Sequence, residues 1–268
     1  MRRVSSKKYK AKRTKARKKI NPRQFFIIFS VFLFLGLTGV GSSLLYNWLK
    51  DADVFRLRNI EIKGNNRLSR IDIMRVANAT VGTSLLGFDT EKAEAALKAH
   101  NWIDNAKIVR EFPDKLIISI KEREPVAVLN AGGLYLVDKK GVVFDVLGKH
   151  KVSLPIISGV SKSEIVDHHI PRRAMSAIHL LSLAGKGAKL LSKNNISEIR
   201  LDGNGEMLIY TRDRAVPVRV AVKHLKRDLE RAEKVLFHLY NSKSYQKVAE
   251  IDMEYGPNEA WVKLKGRR

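Results

Sequence analysis

The chain lacks cysteine altogether, although it has 268 residues. This absence excludes disulfide bonds, thiolate metal sites and a cysteine nucleophile. It is compatible with an oxidising compartment, because a chain of this size can bury enough surface to fold without covalent cross-links. The hydrophobic content of 44% is enough for packed cores and argues against a chain that is disordered throughout.

The sequence is also poor in the patterns that mark active sites. It contains no GxSxG segment, which argues against one class of acyl-transfer enzyme. Two glycine-rich segments, 185–187 and 203–205, are not followed by the residues of a phosphate-binding loop, so we interpret both as turns. Asp167, His168 and His169 come nearest to a metal-ligand cluster, but adjacent side chains do not converge on one ion without further ligands. We therefore expect exposed loop histidines there, with no catalytic residue, cofactor or metal site.

Acidic residues are missing from residues 1–24, which contain twelve lysines and arginines. Half of the net charge of +24 therefore lies in this tail. The tail is too polar to pack a core. Contact with anionic lipid head groups is one interpretation, and contact with nucleic acid is another, although nothing in the tail could read a base sequence.

A single uncharged segment follows, from Phe25 to Trp48. As a helix it would be about 36 Å long, enough to cross a hydrocarbon core of about 30 Å. A cleaved signal peptide is the alternative, but its apolar part would be shorter and small residues would follow it. The sequence therefore predicts an uncleaved membrane helix over residues 25–49. The basic tail predicts a cytoplasmic N-terminus, with the rest of the chain exported.

Residues 54–124 show the pattern of a small β-α-α-β-β module. Leu57–Lys63 alternates apolar and polar residues, as a strand does. Ser69 is suited to cap one short helix, and either Asp89 or Thr90 is suited to cap a second. Two further strands are predicted at 106–110 and 116–121, joined by a turn at 112–115. We expect Trp102, Leu116 and Ile118 in the core of this module.

Residues 125–265 predict a second, mixed β-rich domain with two helices, which makes the fold class α+β. Its predicted hairpin spans 196–211, and an amphipathic helix covers 223–240. The last two predicted strands are 248–255 and 259–264, which form a hairpin near the C-terminus.

Several of these segments resemble the bacterial cell-division FtsQ/DivIB family. Phe55 with residues 60–65, Trp102-Ile103, the Val-Arg-Glu-Phe-Pro-Asp turn at 109–114 and the Glu-Arg-Glu-Pro-Val exit at 122–126 are similar to its POTRA module. Residues 135–144 and 251–255 resemble patterns of its second domain. The spacing of these segments directly after one membrane helix makes the resemblance specific.

The resemblance implies a non-enzymatic assembly factor of the division machinery, or divisome. Such a protein sits in the inner membrane at the division septum, with a single-pass type II topology. It binds the coiled-coil division proteins FtsB and FtsL in the periplasm and links early components to septal peptidoglycan synthesis. It has no small-molecule substrate and no specific nucleic-acid partner.

Two other classes remain as alternatives. One is a membrane-tethered cell-wall enzyme, which the missing nucleophile and metal motifs oppose. The other is an outer-membrane assembly protein, since POTRA modules also occur there. That class would need a cleaved signal and a long C-terminal set of barrel strands, and the sequence shows neither.

The candidate partner-binding residues are Met253, Glu254, Tyr255 and Trp261. A strand at the end of a chain often lies at a sheet edge, where unpaired N–H and C=O groups can accept a strand from another protein. The resemblance implies that FtsB binds the last strands and contacts Tyr255, whereas Trp261 does not fall on a family motif. The alternative is that Tyr255 and Trp261 cover the hydrophobic face of their own sheet.

Overall fold

The computed structural model describes residues 22–51, 53–148, 152–184, 189–212, 216–254, 256 and 259–265. Nearly all of the predicted basic tail, as well as Tyr255, lies outside the described residues. The chain divides into two compact units. The first comprises residues up to 59 together with 81–88 and 111–115, and the second comprises 60–80, 89–110 and 116–268.

In the first unit, helix α1 spans Pro22–Asp51. Its segment Phe25–Leu44 has a mean hydropathy of 2.2 and no buried part, and among the described residues it is the one helix long and apolar enough to cross a membrane. The apolar side chains point outward all around this helix. A helix that is apolar on every side fits a lipid environment.

The same unit contains a backbone-paired segment after the helix. The Leu57 N–H donates to the Thr83 carbonyl at 2.8 Å, and the Gly82 N–H donates to the Leu57 carbonyl at 2.7 Å. Leu57 is fully buried. The alternation predicts a strand that begins at Leu57, but the first strand begins at Asn59. The reason is that the Leu57 backbone groups bond to a neighbouring loop.

The first globular module has the predicted β-α-α-β-β order. Its elements are β1 (Asn59–Lys63), α2 (Arg70–Val76), α3 (Thr90–Lys98), β2 (Ile103–Glu111) and β3 (Lys115–Glu122). The three strands form a sheet in the order β1-β3-β2. The predicted cap at Ser69 is present, because its side chain accepts from the Asp72 N–H at 3.1 Å. Of the two candidates for the second helix, Asp89 is the cap and accepts from the Lys92 N–H at 2.9 Å. Leu116 and Ile118 are fully buried, as predicted.

The second domain is built on nine strands and two helices. Its elements are β4 (Pro125–Asn130), β5 (Leu134–Asp138), β6 (Val143–Val146), β7 (Ile156–Ser158), α4 (Arg172–Ala184), β8 (Ile196–Leu201), β9 (Glu206–Thr211), β10 (Pro217–Ala221), α5 (Leu225–Asn241), β11 (Val248–Asp252) and β12 (Trp261–Leu264). The sheet order is β12-β11-β10-β9-β8-β7-β4-β5-β6. The pairs β4–β7, β7–β8 and β10–β11 are parallel, and the other pairs are antiparallel.

One face of this sheet carries the main core. Alternate strand residues such as Ile199, Ile209 and Val218 are fully buried with Leu180 of α4 and Leu236 of α5. Because strand side chains alternate between faces, the residues between them point to the other side of the sheet. The period-2 pattern of the strands therefore places both helices on one face.

On the other face, near β4, β5 and β6, a smaller cluster joins the two modules. Val128, Leu136 and Phe144 are buried there, and Trp102 of the first module packs against them. Trp102 itself is only half-buried. The prediction that Trp102 lies in the core of the first module was therefore wrong, because its ring lies against the second domain.

Charged side chains reinforce this junction. Arg123 Nη1 lies 2.7 Å from Asp138 Oδ2 and 3.6 Å from Asp104 Oδ1, and Lys140 pairs with Asp104 at 2.5 Å. The Lys140 hydrogen bond is the main reason that the pKa of Asp104 is lowered. Asp138 is nearly fully buried, and the Arg123 guanidinium pairs with it inside the junction.

Candidate partner-binding edge

Strand β12 is the end strand of the nine-stranded sheet among the described residues. It pairs only with β11, in antiparallel register, with Asp252 opposite Trp261, Ile251 opposite Val262 and Glu250 opposite Lys263. The predicted hairpin at 248–264 is therefore confirmed, although its first strand ends at Asp252 and not at Tyr255. The far side of β12 is an open sheet edge within the part of the chain that the structure describes.

The backbone of β12 presents hydrogen-bonding groups to that open side. The Lys265 N–H donates to the Lys247 carbonyl at 2.7 Å, which lies on the β11 side. Because backbone groups alternate in direction along a strand, the N–H groups of Val262 and Leu264 point away from β11. A strand from another chain could accept these two donors.

The side chains of β12 differ in their exposure. Val262 is partly buried and packs against the main core, whereas Trp261 and Leu264 are each 60% exposed. The alternative interpretation of the sequence placed Trp261 over the hydrophobic face of its own sheet. Its exposure argues against that interpretation. An exposed indole beside a sheet edge has the size and chemistry of an interface anchor.

Met253 lies directly after β11 and is fully buried. Its N–H donates to the Arg219 carbonyl at 3.1 Å, which continues the parallel pairing with β10. A partner cannot touch this side chain without unfolding the site. Met253 therefore contributes to the candidate edge by fixing the end of β11 and not as a contact.

Glu254 is exposed and borders a cluster of carboxylates on the sheet face opposite the helices. Its N–H donates to Asp252 Oδ1 at 2.9 Å. The pKa of the Glu254 carboxyl is raised, first by loss of hydration and then by a hydrogen bond with Glu206 and the negative charges of Glu206 and Asp252. The charged form of Glu254 is thus disfavoured at this position.

Arg219 of β10 is the cation at the centre of this cluster. Its Nη1 lies 2.7 Å from Glu206 Oε2, and its Nη2 lies 2.7 Å from Glu250 Oε1. Asp202 and Asp252 follow at 3.6 and 3.9 Å. The bonds to Glu206 and Glu250 raise the pKa of Arg219 further above its ordinary value. One arginine thus ties β9, β10 and β11 together beside the edge.

Sequence reasoning did not identify Arg219 as part of this region. Its neighbours come from three strands, and the parallel β10–β11 pairing that brings them together has no local signal. In the sequence, Arg219 stands between the apolar residues Val218 and Val220, and this alternation could have placed Arg219 on the outer face of a strand, where it is half-buried.

Asp167, His168 and His169 lie in an exposed turn. The backbone φ angles of Asp167 and His168 are 48° and 62°, and the Val143 N–H donates to the His168 carbonyl at 2.6 Å. No group of three His, Cys, Asp or Glu side chains within the described ranges is placed to hold a metal ion. The turn serves here as a backbone contact to β6.

Two family profiles match the chain. "POTRA domain, FtsQ-type" matches residues 55–123, and "Cell division protein FtsQ/DivIB, C-terminal" matches residues 127–254. The candidate edge at β12 lies just beyond the second match.

Curated relatives named "Cell division protein FtsQ" are similar over most of the chain. The protein of Geobacter sp. is 32% identical over 186 residues, which cover 68% of this chain and 67% of the relative. The protein of Anaeromyxobacter sp. is 29% identical over 238 residues, covering 87% and 81%. The protein of Syntrophotalea carbinolica is 29% identical over 187 residues, covering 69% and 66%, so the chain spans about two thirds of that relative's length.

Proposed function

Because this chain belongs to the FtsQ/DivIB family of bacterial cell-division proteins, we propose that it is a non-enzymatic assembly factor of the divisome. It acts by binding, without turnover, and takes the FtsB and FtsL proteins as periplasmic partners. Through them it links early division proteins to septal peptidoglycan synthesis.

One observation supports this proposal above the others. β12 is an end strand with two N–H groups directed outward and an exposed Trp261 beside them. Main-chain pairing at such an edge supplies affinity, and the aromatic side chain supplies an anchor. We include Tyr255, Glu254 and Trp261 in the contact surface, with Met253 as the buried support beneath it.

The proposed topology follows from the apolar helix and the basic tail. The helix fits a bitopic membrane protein. We assign residues 1–24 to the cytoplasm, 25–49 to the inner membrane, 54–124 to the POTRA module and 125–265 to the FtsQ-type β domain, both in the periplasm. The positive-inside rule supports this orientation. Recruitment to the division septum is part of the same proposal.

Affinity purification of the tagged full chain from dividing cells tests the proposal. FtsB and FtsL should co-purify. A reporter that works only after export should be active when it is fused after Arg268. Co-purification of neither protein would contradict the partner assignment. An inactive fusion, with the full chain present in the membrane, would contradict the orientation.

A further inference from the structure

Arg231 on α5 contacts both ends of the segment that connects β11 to β12. Its Nη1 donates to the Met253 carbonyl at 3.4 Å, and its Nη2 donates to the Glu259 carbonyl. The side chain is only 16% exposed. A single guanidinium thus joins two backbone positions, one just after β11 and one just before β12.

Asp228, on the same helix, forms an ion pair with this guanidinium. It is fully buried, and its Oδ1 lies 3.4 Å from Arg231 Nη1 and 2.9 Å from Arg227 Nε. Asp228 Oδ2 is buried without a hydrogen-bond partner among the described residues. A buried carboxylate is costly unless a cation accompanies it. Arg231 is therefore held in place by a charge that cannot move to solvent without local unfolding.

The strand pairing of this hairpin is short and irregular. β12 has four residues, and the pairing of β11 with β12 shifts register between Val248 and Glu250. Short end strands with exposed side chains open at low free-energy cost. Joining Met253 to Glu259 closes the connecting segment and reduces the entropy that β12 must lose to pair.

We propose that Arg231, anchored by Asp228, is a positioning residue for partner binding: it ties Met253 to Glu259 and so holds β12 as an ordered edge for an incoming strand. The inference rests on the proposed function. It adds that the affinity of the edge is set from the helix layer, by a side chain that the partner does not touch.

Arg227 provides a matched control. It donates to the same oxygen, Asp228 Oδ1, but it is 41% exposed, and none of its hydrogen bonds among the described residues reaches the segment from Met253 to Glu259. A substitution at Arg227 therefore removes one cation from Asp228. It leaves in place the two bonds from Arg231 to the Met253 and Glu259 carbonyls, which we call the clamp. Any effect specific to the clamp should appear with Arg231 alone.

The test uses the full chain in detergent micelles, with Arg231→Gln, Arg231→Lys and Arg227→Gln. Hydrogen exchange of the peptide covering 259–265 and the affinity for the purified FtsB–FtsL complex are measured for each. Arg231→Gln should speed exchange there and weaken binding, each by about tenfold or more, as expected when bonds from a charged donor are lost. Arg231→Lys should be intermediate, because an ammonium cannot span both carbonyls. Arg227→Gln should behave like the parent chain in both measurements.

Three results would overturn the inference. The first is unchanged exchange in 259–265 for Arg231→Gln. The second is faster exchange across β8 and β9 as well, which would show a general structural role. The third is unchanged partner affinity despite faster exchange. If the parent chain binds neither FtsB nor FtsL, the proposed function fails together with the binding part of the inference, and exchange in 259–265 still decides whether Arg231 holds β12.

Discussion

Trp102 Nε1 donates to Asp145 Oδ2 at 2.7 Å, which connects the start of β2 in the POTRA module to β6 of the second domain. The indole also meets the Phe144 ring edge-on, with centroids 5.0 Å apart. The Arg67 guanidinium lies 5.0 Å from the indole centroid. A residue that would pass as core in an isolated module is therefore part of the junction between two modules.

Replacing Trp102 with phenylalanine should separate the two contributions. The ring contact with Phe144 is retained, but the hydrogen bond to Asp145 is lost, and we expect the free energy of unfolding to fall by about 1.5 kcal/mol. Trp102→Ala should cost more, about 3 kcal/mol. Denaturant unfolding of the full chain in detergent measures both. Adding Asp145→Asn to Trp102→Phe should cost little more, and fully additive losses would show that the two residues are not coupled.

Leu116→Ala tests the core of the POTRA module. Leu116 is fully buried, so its truncation should lower the free energy of unfolding by about 2–5 kcal/mol. Ile71→Ala on α2 is the control, because Ile71 is 68% exposed and should change stability by only about 0.5 kcal/mol or less. Equal losses for the two variants would contradict the assignment of the core.

Glu254→Gln tests the electrostatics beside the edge. The pKa of Glu254 is raised in the folded protein, so the folded state binds more protons than the unfolded state at pH values just above the ordinary pKa of 4.5. Stability that depends on this group is therefore lost as the pH rises through that window. Glu254→Gln should melt at a higher temperature than the parent at pH 7, and the difference should vanish below pH 4. A variant that is less stable at pH 7 would contradict the cause assigned to the shift.

Trp261→Ala tests the anchor at the edge. Truncation of an interface aromatic costs about 2 kcal/mol, which corresponds to about 30-fold weaker binding of the FtsB–FtsL complex. Because Trp261 is 60% exposed, the melting temperature should stay within about 2 °C of the parent. Tyr255→Lys should also weaken binding, as the family resemblance implies. A large loss of stability with unchanged affinity would favour a packing role for Trp261.

Local chemistry made much of the fold predictable. Ser69 and Asp89 are cap residues whose effect depends on a few neighbours, and both helices begin where these residues predict. The hairpin of β8 and β9 follows from alternation on both sides of a glycine turn. The predicted final hairpin also formed, because antiparallel pairing of adjacent strands needs only a short connection.

Long-range pairings were not predictable in this way. β7 has three residues, yet it pairs with β4 and β8 in parallel and lies in the middle of the nine-stranded sheet. A buried strand of that length has too few residues to show a period. The junction at Trp102 and the clamp at Arg231 have the same origin, since their partners lie far apart in sequence and become neighbours only when the sheet is complete.

The affinity of the FtsB–FtsL complex for the full chain carrying Leu264→Pro tests the central claim most directly. The Leu264 N–H points away from β11, so proline removes a donor from the open edge and leaves the pairing with β11 in place. Leu264→Ala is the control, because it shortens the side chain but keeps the N–H. We predict that Leu264→Pro binds at least about tenfold more weakly than Leu264→Ala, consistent with the loss of a strand-pairing hydrogen bond and the steric block of a proline ring. Equal affinities of the two variants, with the second domain still folded, would contradict pairing at the β12 edge.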